Sequence, residues 1–212
     1  MPPVMRKGFA FSMTGAQSGG YASGLLFTAS MIISKDTPAY YFTVVAKDRL
    51  PVFRSAAISE ITTKALDEAR KSGGFFLFSY VVMPDHLHFI TDSDKKKSEV
   101  LRFVNGIISR RVIDYLKENN HESSLLKLRH VTQRRKYSYS LWDHHRNSFS
   151  IYSEELFMQK LNYIHLNPVR ARLVESAEQY RWSSVRYWNR KPEAEPLEVD
   201  ISRIQWRVGF GA

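Results

Sequence analysis

Apolar positions along the chain fall into segments whose period switches between that of a strand and that of a helix. Tyr40 to Ala46 (YYFTVVA) is aromatic and β-branched, the composition of a strand, and Asp48 to Pro51 interrupts it. Ile58, Ile61, Ala65 and Ala69 then recur at helical spacing through Ser55 to Ser72, with Ser55 at the cap position and Gly73 just past the end. Phe75 to Met83 and His86 to Thr91 are strand-like runs on either side of Pro84 and Asp85, residues suited to the centre of a type I turn, so together they predict a hairpin. Leu101, Val104, Ile108, Val112 and Tyr115 mark one face of a second helix over Ser98 to Glu118. Tyr139 to Trp142, with part of the segment just after Trp142, predicts a fourth strand, and Ser153, next to Glu154 and Glu155, caps a third helix.

The resulting order is β-α-β-β-α-β-α. Its first six elements are those of the ferredoxin-like split βαβ unit, an α+β fold with an antiparallel sheet and its helices on one face. That fold hosts many functions, RNA recognition among them, so the activity has to be argued from a site. Residues 1–36 carry Gly15, Gly19, Gly20 and Gly24 with no sustained period and read as a flexible leader. The pattern occupies residues 37–190 as one domain, and 191–212 form a C-terminal tail.

Composition narrows the classes. With 43% hydrophobic and 13% aromatic residues the chain can bury a core of its own. Its 31 Lys and Arg against 21 Asp and Glu give a formal charge of +10, the electrostatic footprint of a polyanion binder, with nucleic acid the first candidate. The absence of cysteine excludes disulfides, thiolate metal sites and cysteine nucleophiles, leaves N and O ligands for any metal, and fits the cytoplasm. The apolar stretch Leu25 to Ile33 is too short to span a bilayer, so no membrane partner is expected.

Candidate chemistry gathers in three places. His86 and His88 sit one residue apart on a strand, so both imidazoles face one way and can converge on a cation, unless they are simply satisfied histidines. On the third helix Phe157, Leu161 and Ile164 form the buried stripe, while Lys160, Tyr163 and Asn167 share a neighbouring line. Against a catalytic reading there, Tyr163 has the ordinary alternative of packing with a wet hydroxyl, and Asn167 that of capping a helix that starts afresh at Pro168. Lys127, Arg129, Arg134, Arg135 and Lys136, followed by Tyr137, Tyr139 and Trp142, form the basic and aromatic mixture that holds phosphates and stacks on splayed bases, or else a solvated charged loop.

Taken together, M-P-D-H-L-H at 83–88, N-Y-I-H-L-N-P-V-R-A at 162–171 and Y-R-W-S-S at 180–184 resemble the IS200-like single-tyrosine HUH transposases, and within them the REP-associated tyrosine transposases. The resemblance spans Tyr40 to Trp188. It implies the HUH transposase fold, His86 and His88 as paired ligands of Mg²⁺ or Mn²⁺, Asn167 as third ligand, and Tyr163 as a nucleophile that forms a 5′-phosphotyrosine link. Arg170, inside the second motif, joins the basic residues as an expected DNA contact. The implied partner is single-stranded DNA folded into REP-like palindromic hairpins, handled by a monomer in preference to a homodimer. Two other readings keep part of the pattern: a nucleic-acid-binding module without catalysis, and a metal-dependent nuclease that uses water and has no need of Tyr163.

Overall fold

The computed structural model describes residues 31–92, 94–130, 138–189 and 197–206. Arg134, Arg135 and Lys136, most of the expected leader and parts of the tail lie outside them. In chain order the elements are β1 (Met31–Ile32), β2 (Ala39–Ala46), α1 (Ala56–Gly73), β3 (Leu77–Val82), β4 (His86–Thr91), α2 (Lys97–Glu118), α3 (Glu122–Leu128), β5 (Arg129–His130), β6 (Ser138–Tyr139), β7 (Trp142–Ile151), α4 (Glu154–Arg170), α5 (Val185–Trp188) and β8 (Ile204–Gln205).

Strands β3, β4, β2 and β7 pair antiparallel in that spatial order. This is the sheet of the split βαβ unit, and α1 and α2 share one of its faces as that unit requires. Helix α4 lies on the opposite face. The sheet is therefore covered on both sides, which explains why every residue of β3 is buried where a one-sided sheet would alternate. Phe42, Tyr80, Leu87 and Phe89 pack under α1 and α2, while Tyr41, Phe78, Val81 and Ile90 pack under Phe157, Leu161 and Ile164 of α4. Burying each of those three α4 side chains contributes about 1.5–3 kcal/mol to docking the helix.

Local chemistry sets the element ends. Ser55 Oγ accepts from Ile58 N at 3.3 Å at the start of α1, and Gly74, at φ 62, closes that helix in the left-handed region that suits glycine. Helix α2 begins one residue before the expected Ser98, with Lys96 N donating to Glu99 Oε2 at 3.2 Å. Ser153 Oγ accepts from Leu156 N at 3.2 Å and caps α4 as its sequence predicts.

Residues on both flanks of the expected domain take part in the packing. Met31–Ile32 pairs in parallel with Ile204–Gln205, and Leu197 and Val199 enter the core beneath α1 and α2. Asp200 Oδ2 accepts from Arg70 Nη1 at 2.6 Å and from Leu77 N at 2.9 Å, tying the tail to α1 and to the start of β3.

Candidate active site

Register brings the two histidines to the α4 side of the sheet. On β4, Leu87 and Phe89 enter the α1/α2 core, whereas His88, 4% exposed, shares the other face with Ile90. Strand β2 lies alongside, with Thr43 opposite His88 and Val45 opposite His86. The imidazole centroids are 4.7 Å apart, with the rings at 78° to each other.

Each imidazole is held through Nδ1. His86 Nδ1 lies 2.6 Å from Asp85 Oδ1, and Asp85 is bonded in turn by Arg49 Nη1 at 3.1 Å. Burial works to raise the Asp85 pKa, but His86 and Arg49 outweigh it and hold the carboxyl below its usual range. A carboxylate at Nδ1 puts the His86 proton there and leaves the Nε2 lone pair free. His88 Nδ1 lies 2.8 Å from Tyr41 Oη and 2.8 Å from Thr43 Oγ1, hydroxyls that accept as readily as they donate. Burial first, and then the neighbouring His86, push the His88 pKa down to about 3, so this ring is neutral. Burial also raises Tyr41 to about 12, against the Thr43 hydrogen bond and with a further push from Tyr163, so Tyr41 remains a phenol.

Tyr163 comes to the same place from α4. Its ring is edge-on to His88 with centroids 5.5 Å apart, and it meets Tyr41 at 6.5 Å. Unlike Tyr41, it is 39% exposed. Lys160 Nζ lies 5.9 Å from the Tyr163 ring centroid and 5.0 Å from that of Phe149, and the Arg170 guanidinium stands 5.2 Å above Tyr163. Asn167, one turn beyond Tyr163, is half-buried, and its side-chain amide has no hydrogen-bond partner among the described residues. The helix runs through Pro168 to Arg170 without restarting, so Asn167 is an interior helical residue and not a cap.

The inner side of α4 is clamped by the third motif. His165 Nε2 lies 3.1 Å from Ser184 Oγ and 3.3 Å from Ser79 Oγ, and Ser184 Oγ accepts from Tyr80 N at 3.1 Å. Burial lowers the His165 pKa to about 3, which leaves a neutral hydrogen-bonding ring. Trp182 O accepts from Val82 N, Ser184 N donates to Tyr80 O, and Tyr180 Oη donates to Val82 O at 2.8 Å. The segment 180–184 thus covers the open edge of β3 and fixes α4 against it.

Of the expected site residues, His86, His88 and Tyr163 form one cluster, with Asn167 on the next helical turn and Arg170 over the tyrosine ring. Lys127 and Arg129 lie apart from it, exposed at the end of α3 and in β5. Their carbonyls accept from Lys47 Nζ at 2.9 and 3.0 Å, and Lys47 directly succeeds β2, so the basic stretch departs from the end of the sheet that carries His86. Sequence reasoning overlooked Tyr41, Thr43, Asp85, His165 and Ser184. Asp85 adjoins His86 and was open to notice, whereas Thr43 is legible only once the β2–β4 register is known.

No curated protein matches the chain. A solved structure described as a REP-associated tyrosine transposase bound to a REP hairpin overlays with a TM-score of 0.53 at 16% identity, covering 77% of this chain and 87% of that one, a likeness of fold. A candidate transposase from Deinococcus radiodurans R1 overlays with a TM-score of 0.43 at 16% identity over 70% of this chain and 95% of its own. The family model described as "Transposase IS200 like" matches residues 35–155, from before β2 into the first turn of α4, and so takes in the whole four-stranded sheet with both histidines. A match over more than half the chain establishes that it belongs to the IS200-like transposase family, the enzymes of a DNA transposition pathway.

Proposed function

We propose that this transposase cuts and rejoins single-stranded DNA at REP-like hairpins, with Tyr163 as the attacking group. The observation that carries the reading is the exposed Tyr163 phenol held edge-on against a buried, neutral His88. Tyr41 also touches His88 but is buried away from solvent, so the nucleophile's role falls to the exposed Tyr163.

In the reaction the Tyr163 oxygen bonds to the scissile phosphorus as the bond from phosphorus to the 3′ oxygen breaks. The proton lost by the phenol is balanced by the one gained at the released 3′-hydroxyl. The 5′-phosphotyrosine link keeps the bond energy, so attack by another 3′-hydroxyl reverses the step and rejoins DNA without ATP. Lys160 and Arg170, flanking Tyr163, offset the charge of the incoming phosphate.

The donor set suits a divalent cation. Two imidazoles with Nδ1 engaged present Nε2, in the histidine arrangement typical of metal ligands whose other ring nitrogen is held by a carboxylate or another polar group. Asn167 would add an amide oxygen. Bound there, Mg²⁺ or Mn²⁺ would polarise a non-bridging phosphate oxygen. Asp85, Thr43 and Tyr41 orient the imidazoles, and the Ser184–His165 clamp holds α4, and with it Tyr163, against the sheet.

Helix α4 docks on its own chain's sheet, so a monomer carries every residue named. The net charge of +10 and the hairpin carried by the similar solved structure support a hairpin DNA partner, and membership of a DNA-acting transposase family supports a cytoplasmic location. No described helix is long and apolar enough to cross a membrane.

The test incubates labelled single-stranded hairpins, taken from palindromes beside the gene, with wild type and Tyr163→Phe, with manganese or with chelator, and resolves the products by denaturing electrophoresis. A manganese-dependent protein–DNA adduct in wild type alone is expected. Cleavage that persists in Tyr163→Phe without an adduct would instead identify a water-using nuclease, and binding without cleavage a non-catalytic module.

A further inference from the structure

The turn after β2 holds two successive residues in a backbone conformation that side chains rarely adopt. Asp48 and Arg49 both lie at φ 52, in the left-handed region, and neither is glycine. Such a conformation is unfavourable and persists only where the surrounding bonds impose it. On either side of this turn they do so: Ala46 N donates to Asp85 O and Lys47 N to Leu141 O, each at 2.8 Å, and Phe53 N reaches Pro84 O at 2.9 Å. Leu50 N closes the turn itself on Lys47 O at 3.0 Å.

What the turn achieves is the placement of one guanidinium. Arg49 Nη1 donates to Asp85 Oδ2 at 3.1 Å, while the other oxygen of Asp85 lies 2.6 Å from His86 Nδ1. As an ion pair this contact contributes little to folding, because the Arg49 side chain is 69% exposed. Stability therefore does not account for the strained turn. A guanidinium carries several N–H donors in a planar fork, and among the described residues that of Arg49 has no partner besides Asp85. An edge of the fork is left for a ligand, and the carboxylate fixes its direction.

That ligand is an anion, and its place follows from His86. Asp85 holds the imidazole at Nδ1, away from Nε2, so Arg49 stands behind the ring and outside the scissile position. A DNA strand that presents its scissile phosphate to Nε2 and Tyr163 carries its next phosphates to either side of the ring. Cations continue outward from this turn, since Lys47 Nζ bonds the carbonyls of Lys127 and Arg129, whose side chains are exposed. Planar, bidentate capture of a phosphate is the chemistry that distinguishes arginine from lysine.

We propose that Arg49 is a substrate-contact residue that takes a DNA phosphate next to the scissile one, with Asp85 as the post that aims it. The inference rests on the single-stranded DNA reading above, but its readout is binding measured in chelator, which calls on neither cleavage nor metal.

It is tested on wild type, Arg49→Gly and Arg49→Gln with hairpin oligonucleotides in which each phosphate of the single-stranded flanks is replaced in turn by an uncharged methylphosphonate. Glycine suits φ 52, so Arg49→Gly removes the side chain and relieves the turn, and its urea midpoint should match or exceed that of wild type. Arg49→Gln keeps a donor for Asp85 and answers if Arg49→Gly is poorly folded. Both variants are expected to bind the unmodified hairpin about 10-fold more weakly. The slope of log affinity against log salt should flatten by about 0.7, the share of one phosphate contact on a single strand. At one flank position the methylphosphonate should weaken wild type and leave both variants unaffected. Variants that bind as wild type does and respond like it to every methylphosphonate overturn the proposal. So does a lowered urea midpoint in Arg49→Gly with binding kept, which would make the arginine structural. Failure of wild type to retain any hairpin refutes the DNA reading itself, and the contact with it.

Discussion

Ser184→Ala probes the clamp that places Tyr163, the proposed nucleophile. The wild-type hydroxyl accepts from Tyr80 N at 3.1 Å and lies 3.1 Å from both His165 Nε2 and Ser79 Oγ, all in a site shut off from water. Alanine removes the bond from Tyr80 N, and His165 keeps only Ser79 at 3.3 Å. Three hydrogen bonds of the hydroxyl are lost at about 1 kcal/mol net each, so the expected loss is about 2–4 kcal/mol. Urea unfolding of wild type, Ser184→Ala, His165→Leu and the double variant measures it and isolates the contact between the two side chains. A coupling of about 1 kcal/mol is expected, because groups sharing one network are not additive. Assayed well below its unfolding midpoint, Ser184→Ala should also form the covalent adduct about 10- to 100-fold more slowly, since small displacements of a reacting group carry penalties of that order. A loss below about 0.5 kcal/mol with additive variants would refute the clamp.

Two further outcomes rest on named contacts. Thr43→Val removes one of the two hydroxyls on His88 Nδ1, and manganese affinity measured by calorimetry should fall about 10-fold, approaching 100-fold when Tyr41→Phe removes the other; an unchanged affinity in the double variant would contradict the assignment of His88 as a ligand. Asp92 is raised to about 7 by burial first and then by Asp94 and Asp200, and its Oδ2 has no partner among the described residues. Because its folded pKa lies above the unfolded value of 3.8, stability from this group is full at acid pH and is lost as pH rises toward and through about 7. Asp92→Asn keeps an acceptor for Phe76 N, so its urea midpoint should gain on wild type between pH 5 and pH 8, and a constant difference would refute the shift.

What could be read in the chain was what local period and caps encode. Ser55, Ser153 and the alternation across His86 to Ile90 each act where they were expected, because capping and strand parity depend on neighbours only a few residues away. Strand β7 was underestimated. Its run Asp143 to Ser148 lacks strand composition, but pairing with β2 from Ala39↔Ile151 to Ala46↔Trp142 decides its conformation. Helix α4's apolar stripe was plain at Phe157, Leu161 and Ile164, yet no spacing says which face of a sheet a helix will cover. Tyr180 to Ser184 was visible only as a motif, since its partners Ser79 to Val82 lie about a hundred residues earlier in the chain. Asp200 and Arg70 were hidden for the same reason.

Pro168 shows how one backbone choice assembles the candidate active site. Proline there cannot donate to Ile164 O, and a helix ending before it would turn Asn167 and Arg170 away from Tyr163. Helix α4 continues instead, with Ala171 N reaching Asn167 O at 2.9 Å and Leu173 N reaching Pro168 O at 2.9 Å, so the last turn is closed by bonds that do not need the missing donor. The buried Pro168 ring adds apolar contact on the inner side. Because the turn persists, Lys160, Tyr163, Asn167 and Arg170 succeed one another at helical spacings of three and four and stay on one edge. The Arg170 guanidinium can then lie 5.2 Å above the Tyr163 ring, two turns from its own position in the helix. The inner edge of the same helix, with Phe157, Leu161, Ile164 and the clamped His165, supplies rigidity, so a solvent-exposed phenol is held in place without being buried. The nucleophile proposed for Tyr163, which would have to admit a DNA strand and still meet a fixed phosphorus, needs both properties, and α4 separates them onto its two sides.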